Sequence, residues 1–276
     1  MNIIGQETLR ERLGSMVRWN KLPKFIILVG EKGSGRRLIS QWLAEETKAD
    51  FCEVATGVAE LREVIEQSYK LGSETLYLIP NGDKMSGAAK SALLKVTEEP
   101  PKYARFVMTV SDRAQVLDTL LSRACVLPMD SYTMAELMEF AGDDISNADI
   151  YTSCCNNAYE VEQVKGYGAT TFSEFVDLAI DNIAEVAGCN ALKMEQKLSF
   201  KDGEDGYDVK IFLQSFRTKC LKRLLDETDP VQERIYSSWA EITSDKLKDM
   251  NNASVNRQYV TDMWIFDIRE AYNAEG

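Results

Sequence analysis

The sequence predicts an α/β domain with a parallel sheet, followed by two helical domains. Three observations predict this order. Apolar strand-like runs alternate with helical patterns in the first half, a glycine-rich turn joins the first run to a helix, and only helical patterns follow Met129. We therefore place an α/β domain at residues 1–130, a small helical domain at 131–168 and a second helical domain at 169–276.

The elements of the first domain follow from apolar spacing and from the residues that interrupt it. The predicted strands are Lys24–Val29, Thr75–Ile79 and Arg105–Val110, and the predicted helices between them are Arg37–Glu46 and Ala88–Glu98. Pro100 and Pro101 stop the second helix, since proline lacks the amide hydrogen that would continue it. Strands that alternate with helices in this way form parallel sheets.

The second half shows helical start and stop signals instead. Thr133 and Glu136 form a capping box, which begins a helix that runs to about Phe140. Another helix is predicted over Cys154–Val164. Four further helices are predicted from Thr171 onward, with breaks at residues 201–206, at Asp229-Pro230 and at Asn251-Asn252.

Composition excludes several kinds of chemistry. The 276 residues include no histidine, so the chain has no imidazole base, no Ser-His-Asp or Cys-His nucleophile, no two-His zinc site and no His-ligated haem. The net charge of −12 is uneven: residues 1–130 hold 18 basic and 17 acidic side chains (+1), and residues 131–276 hold 14 and 27 (−13). The acidic half is unsuited to gripping DNA, and we expect a solvated surface or contact with a basic partner.

The six cysteines show no C-x-x-C spacing, the start of the chain shows no apolar signal region, and no apolar run approaches the roughly 20 residues that span a bilayer. We therefore expect no zinc module, no disulfide framework, no membrane contact and a cytoplasmic location.

One motif carries phosphate-binding chemistry. Gly30-Glu-Lys-Gly-Ser-Gly35-Arg36-Arg37 lies between a predicted strand and a predicted helix, where backbone amides and the helix dipole form an anion cradle. Gly30, Gly33 and Gly35 keep the frame of a P-loop. Arg36 replaces the lysine that reaches the phosphates, and Arg37 replaces the Ser or Thr hydroxyl that binds Mg²⁺. A strand-to-helix turn that needs only glycines is the alternative.

Further segments resemble the bacterial clamp-loader AAA+ family of DNA polymerase III. Leu93-Leu-Lys-Val-Thr-Glu-Glu-Pro-Pro101 is close to the family's Leu-Leu-Lys-Thr-Leu-Glu-Glu-Pro-Pro, and Thr119-Leu-Leu-Ser-Arg123 is close to its Thr-Ile-Leu-Ser-Arg. Ile3-Ile-Gly-Gln6 resembles its N-terminal box, and Ser254–Arg269 resembles its last helix. The resemblance implies an AAA+ domain at 1–130, a lid at 131–168 and an oligomerisation collar at 169–276.

The sequence departs from this family's pattern at the end of one strand. The strand Thr75–Ile79 ends in Pro80 and Asn81, where the family has the Asp and Glu that hold Mg²⁺ and the attacking water. The resemblance is therefore to the delta-prime subunit, which often lacks a working site and acts as a stator in DNA replication. It implies that Arg123 is an arginine finger used in trans, on ATP bound to a neighbouring subunit.

The implied partners are motor (gamma/tau-like) subunits and a delta-type subunit, with the sliding clamp and primer-template DNA reached through the complex. The implied cofactor set is empty: no metal, no zinc, and ATP bound at most without hydrolysis. Two other functions stay open, a divergent ATPase motor of this family and a related AAA+ adaptor in DNA repair. An alternative role for Arg123 is that of a surface arginine that caps a helix or pairs with a carboxylate.

For Glu98 and Glu99, we favour ending a helix and contacting a neighbouring subunit over catalysis, because adjacent helical side chains point in different directions.

Overall fold

The computed structural model describes residues 2–183, 195–200, 204–250 and 255–275. The chain forms two compact units, Met1–Glu136 and Leu137–Gly276. No helix within the described ranges combines the length and the apolar character needed to cross a membrane.

The first unit is an α/β domain around one parallel sheet. Its helices are α1 (Glu7–Arg18), α2 (Arg36–Thr47), α3 (Val58–Ser68), α4 (Gly87–Glu98) and α5 (Asp118–Leu121). Its strands are β1 (Phe25–Val29), β2 (Asp50–Glu53), β3 (Thr75–Ile79), β4 (Ala104–Val110) and β5 (Cys125–Pro128). The strand order is β2-β3-β4-β1-β5, so β1 is paired on both sides, with Phe25 opposite Phe106 and Ile26 opposite Cys125.

Helices cover both faces of this sheet because β1 is apolar on both faces. Ile26 and Leu28 pack with α1 and α2, whereas Phe25 and Ile27 pack with α3 and α4. Successive side chains of a strand point to opposite faces, and a strand buried on both faces is a continuous apolar run. β1 is therefore held rigidly, and it fixes the position of the loop that follows it.

The three predicted strands and two predicted helices of this unit are confirmed to within one residue at each end. Strands β2 and β5 and helices α1, α3 and α5 were not predicted. Each of the two strands has four residues, and most of their side chains are exposed or half-buried. An apolar run as short as Cys125–Leu127 is too short to identify a strand from its periodicity.

The second unit is mainly helical. Its first helix, α6 (Met134–Ala141), starts in the first unit, and α7 (Ala148–Cys154), α8 (Ala158–Tyr167), α9 (Ala169–Asn182), α10 (Val209–Asp226), α11 (Pro230–Met250) and α12 (Arg257–Glu275) follow. The capping box is confirmed, since Thr133 N–H donates to Glu136 Oε2 (2.6 Å) and Glu136 N–H donates to Thr133 Oγ1 (3.3 Å). Among the described residues after Thr171, helices α9 to α12 lie one in each of the four segments that the predicted breaks separate.

Two predictions for this half are wrong. The helix predicted over Cys154–Val164 is interrupted, because the Asn157 side chain accepts a hydrogen bond from Glu160 N–H (3.1 Å) and so caps a new helix, α8. Strands also occur after Met129: β6 (Leu198–Ser199) and β7 (Tyr207–Asp208) form a small parallel pair. Of the predicted breaks, residues 201–203 and 251–252 lie outside the described residues.

Aromatic side chains form the core of the second unit. Trp264 is fully buried and lies edge-on to Phe212 and Phe216, with ring centroids 5.8 and 4.9 Å away. Helices on either side of the predicted 168/169 boundary pack together. In one such contact between α10 and α7, Ser215 Oγ donates to the Cys154 carbonyl (3.2 Å). The division of this half into lid and collar stays a prediction.

Candidate functional site

The glycine-rich loop has the backbone of a P-loop. Gly33 and Gly35 have φ angles of 90° and 87°, a left-handed conformation that glycine adopts at little cost, and α2 begins directly after Gly35. A Cβ atom at Gly30 would lie 2.7 Å from both Met129 Cγ and Ser34 Oγ. The glycines are therefore required by this turn, and the first amides of α2 are directed at the space the loop surrounds.

Three polar side-chain atoms around this loop are buried without a hydrogen-bond partner: Ser34 Oγ, Arg36 Nη1 and Asp83 Oδ1. Burial lowers the pKa of Arg36, and the charges of Asp83 and Glu31 oppose that shift. Ser34 and Asp83 are each only 8% exposed. Buried polar atoms in proteins are normally paired. The Arg36 guanidinium, the Ser34 hydroxyl and the helix-end amides are groups that bind phosphate, whereas the Asp83 carboxylate would repel it. The loop therefore fits an anion on the side of Arg36 and Ser34.

The residues that would hold a divalent cation do not fit one. The Arg37 side chain points to Glu53, with Nη2 2.7 Å from Oε2, and a guanidinium cannot coordinate a cation. Pro80 follows β3 without a carboxylate, and Asn81 N–H donates to Thr109 Oγ1 (3.2 Å). The described part of the chain contains no group of three Asp, Glu, Cys or His side chains that could hold a metal ion.

The segment after β5 forms one wall beside the loop. Gln6 is 2% exposed, and its amide makes two hydrogen bonds of 2.7 Å to the backbone of Asp130, one to the carbonyl and one from the N–H. Tyr132 donates from its hydroxyl to the Ser34 carbonyl (3.1 Å), and burial raises the pKa of Tyr132. The N-terminal box and the residues after β5 are thereby fixed against the loop.

Arg123 lies between α5 and β5. Its Nη1 donates to the Thr119 carbonyl (2.8 Å), and its Nη2 donates to Glu98 Oε1 (2.9 Å). The side chains of Arg123 and Glu98 are 36% and 55% exposed. Arg123 therefore both caps the carbonyl end of α5 and pairs with a carboxylate, the alternative that the sequence left open, while staying accessible from outside.

Arg123 and the loop lie at opposite ends of the sheet. In the parallel pair of β1 and β5, Ile26 is opposite Cys125, so Arg123 precedes the first paired residue of β5 whereas Gly30 follows the last residue of β1. Six residues of strand separate the two levels, about 20 Å at roughly 3.3 Å per residue. An arginine side chain cannot span that distance, so the structure does not bring Arg123 to the loop of its own chain.

Three residues of the site were missed from the sequence: Asp83, Asp130 and Tyr132. Asp130 and Tyr132 reach the loop because β5 lies next to β1, an adjacency that depends on the sheet order. In a parallel sheet the segments that follow neighbouring strands meet at the same edge, so a predicted β5 would have pointed to them. Asp83 follows β3 on a short 3₁₀ turn, Gly82–Lys84.

Comparisons with known proteins give matches over parts of the chain. The family described as DNA polymerase III, delta subunit, matches residues 48–133. The DNA polymerase III subunit gamma of Buchnera aphidicola (subsp. Schizaphis graminum) is 23% identical over 169 residues, 50% of this chain and 47% of the relative. The DNA polymerase III subunit delta' of Bacillus subtilis is 36% identical over 73 residues, 25% of this chain and 22% of the relative. The chain thus spans about half or less of the length of these relatives.

A solved structure, a gamma subunit-related protein from Thermotoga maritima, aligns with 94% of this chain and 99% of its own at 16% identity and a TM-score of 0.48.

The parallel five-stranded sheet, the glycine loop after β1 and the mainly helical second unit confirm the predicted fold class in outline, an α/β domain with a P-loop-like turn followed by helices. The sequence matches confirm the predicted resemblance to the clamp-loader family of bacterial DNA polymerase III. Both gamma-type and delta'-type relatives are among them. The matches therefore support the resemblance to this family and do not separate these two roles.

Proposed function

We propose that this chain is a delta-prime-like stator of a bacterial clamp loader, which does not hydrolyse ATP itself and supplies Arg123 in trans to ATP on a neighbouring motor subunit. The position of Arg123 carries the proposal. It is accessible and lies about 20 Å from the loop of its own chain, at roughly 3.3 Å per strand residue. An arginine so placed cannot reach a phosphate in the loop of its own chain, so a phosphate that it contacts is held by another molecule.

The chemistry of that role is electrostatic. A guanidinium placed against the transferring phosphoryl group stabilises the charge that develops there, which contributes about 10³-fold or more in rate in NTPases that use such a residue. Arg123 has five N–H donors, two of which are used by Thr119 and Glu98. Donors remain for a phosphate oxygen.

Loss of hydrolysis in this chain follows from its missing ligands. Phosphoryl transfer needs Mg²⁺ and an oriented water, and Arg37, Pro80 and Asn81 occupy the positions of the groups that hold them. Arg36 and Ser34 suit the phosphates of a nucleotide bound without turnover. We include no zinc and no other metal in the proposal, and we place the complex in the cytoplasm.

The proposed assembly is a hetero-oligomer with gamma/tau-like motor subunits and a delta-type subunit. Sliding clamp and primer-template DNA are engaged through that complex. The charge distribution supports this, because the helical half at −13 is unsuited to binding DNA directly, whereas the α/β half at +1 can dock on sibling domains.

Reconstitution of the complex with Arg123→Ala tests the proposal. We expect the ATPase activity stimulated by clamp and DNA to fall, because one motor site loses its finger. Arg62→Ala is the matched control, since Arg62 is an exposed arginine on α3, away from the α5–β5 segment. Equal turnover in wild type and Arg123→Ala would refute the proposal.

A divergent motor subunit is the second candidate. The loop frame is intact, Arg36 has a buried unpaired nitrogen, and gamma-type relatives match about half of the chain. Titration of the isolated chain with labelled ATP and Mg²⁺ separates the two candidates. The stator proposal predicts no hydrolysis above background, and Mg²⁺-dependent hydrolysis by this chain alone would favour the motor.

A further inference from the structure

The pair formed by Glu98 and Arg123 joins two segments that are 25 residues apart in sequence. Glu98 is the last residue of α4, and its Oε1 accepts from Arg123 Nη2 at 2.9 Å. Arg123 Nη1 is held at the same time by the Thr119 carbonyl (2.8 Å) and approaches Ser122 Oγ (3.4 Å). Both terminal nitrogens of the guanidinium are thus bound within the chain.

The position of Glu98 in α4 is unfavourable to the helix, so its carboxylate does not stabilise α4. The carboxyl end of a helix carries partial negative charge, so an acidic residue in the last turn is unfavourable to the helix. Glu98 occupies that last turn. Arg123 is the cation that its carboxylate contacts, and this contact offsets the unfavourable position.

A carboxylate and a phosphate compete for the same donors of a guanidinium. While Glu98 is bound, Arg123 is half of a neutral pair, and a neutral pair stabilises a developing phosphoryl charge far less than a free cation does. A carboxylate beside the phosphate would also repel it. The remaining donors of Arg123 can approach a neighbour's nucleotide, but its full charge acts there only when Nη2 leaves Glu98.

We propose that Glu98 is a positioning residue that retains Arg123 on its own subunit until a neighbour's phosphate displaces the carboxylate. The inference rests on the proposed trans role of Arg123. In the free or loosely assembled subunit, Arg123 then stays paired with Glu98. Its release from Glu98 depends on competition by a triphosphate bound to the neighbour.

The geometry sets the size of the effect. The pair is partly exposed, at 36% for Arg123 and 55% for Glu98, and such pairs shift an equilibrium by up to about fivefold. Glu98 is therefore a weak retainer, which a triphosphate carrying several negative charges can displace. Glu98 lowers the fraction of subunits in which Arg123 is unpaired, and removing the carboxylate raises that fraction.

The test is the ATPase activity of the reconstituted complex with Glu98→Gln. We expect turnover without DNA to rise by about two- to fivefold, because the guanidinium no longer has a charged competitor. Glu98→Ala, which removes the acceptor altogether, should change the activity in the same direction. Glu66→Gln is the matched control: it makes the same charge change at an exposed position of α3, and Glu66 has no contact with Arg123 among the described ion pairs and hydrogen bonds.

A double variant distinguishes this role from a structural one. Glu98→Gln combined with Arg123→Ala should have the activity of Arg123→Ala alone, because Glu98 acts only through Arg123. Unchanged or lower turnover in both single Glu98 variants, or an effect of Glu98→Gln that persists without Arg123, would overturn the inference and leave the trans role standing. Full activity of Arg123→Ala would instead refute the trans role itself.

Discussion

Replacing Gln6 by alanine should loosen the wall beside the glycine loop. The Gln6 amide bonds both the carbonyl and the N–H of Asp130 at 2.7 Å, and the side chain is 2% exposed. Gln6 has a φ of 60°, which alanine would adopt at a similar cost, so the backbone contribution cancels in the comparison. The change therefore removes both bonds to Asp130, together with the hydrogen bond between Gln6 and Tyr132.

The magnitude follows from the two backbone groups left behind. A buried group that loses its partner costs about 1–3 kcal/mol, and we take the lower value because Asp130 is only half-buried and water can partly replace the amide. Two groups then cost about 2 kcal/mol, which is roughly a 30-fold increase in the population of the opened state.

Hydrogen exchange followed by mass spectrometry measures this opening locally. We expect peptides that cover β1 and β5 to exchange roughly 30-fold faster, with peptides of the second unit unchanged. Gln67→Ala is the control, since the Gln67 amide bonds only Glu63 Oε1 (3.0 Å) on the surface of α3, a contact of about 0.5 kcal/mol or less. Equal protection in Gln6→Ala and Gln67→Ala would refute the reasoning.

Two predictions concern the second unit. Thr243→Val should destabilise it by about 1–3 kcal/mol in urea unfolding, because Thr243 Oγ1 is the acceptor of the buried Trp264 indole N–H (2.9 Å). Burial raises the pKa of the Cys220 thiol to about 12 from 9.0, so at pH 8 its thiolate fraction is about 10³-fold lower than that of a thiol with a pKa of 9.0. Alkylation of Cys220 should therefore be slow compared with alkylation of the half-buried Cys52. The unfolded chain ionises Cys220 first, so stability should fall as the pH rises above about 9.

Each prediction has an outcome that contradicts it. Thr261→Val is the matched control for Thr243→Val, because Thr261 is equally buried and its hydroxyl donates only to the Arg257 carbonyl of its own helix. A loss of stability as large in Thr261→Val would show that the indole bond is not the cause. Alkylation of native Cys220 at the rate of Cys52, or stability that is constant between pH 7 and 10, would contradict the account of the buried thiol.

The sequence predicted the α/β half well because its signals are local. A buried parallel strand such as Phe25–Val29 is a run of apolar residues, and the glycines that follow it mark the turn directly. The break between α7 and α8 was missed although the sequence contains its signal. That signal is Asn157, whose side chain competes with the helix for backbone donors. The strands β6 and β7 have two residues each, too few to show any periodicity.

The candidate site divides along the same line. The loop residues from Gly30 to Arg37 could be named from the sequence, because a P-loop is one contiguous segment. The partners of Gln6 and Arg123 could not, since Asp130 is 124 residues from Gln6 and Glu98 is 25 residues from Arg123. Such contacts depend on the order of the strands and on the direction of each helix, which no local pattern contains.

A complex in which only the motor subunit beside this chain keeps a working P-loop provides the most direct measurement. Its single-turnover rate of ATP hydrolysis should fall by about 10³-fold or more with Arg123→Ala and stay unchanged with Arg62→Ala. If only a distant motor site is left working, Arg123→Ala should have no effect. An unchanged rate at the neighbouring site, or an equal fall at the distant one, would contradict the claim that this chain supplies the finger in trans.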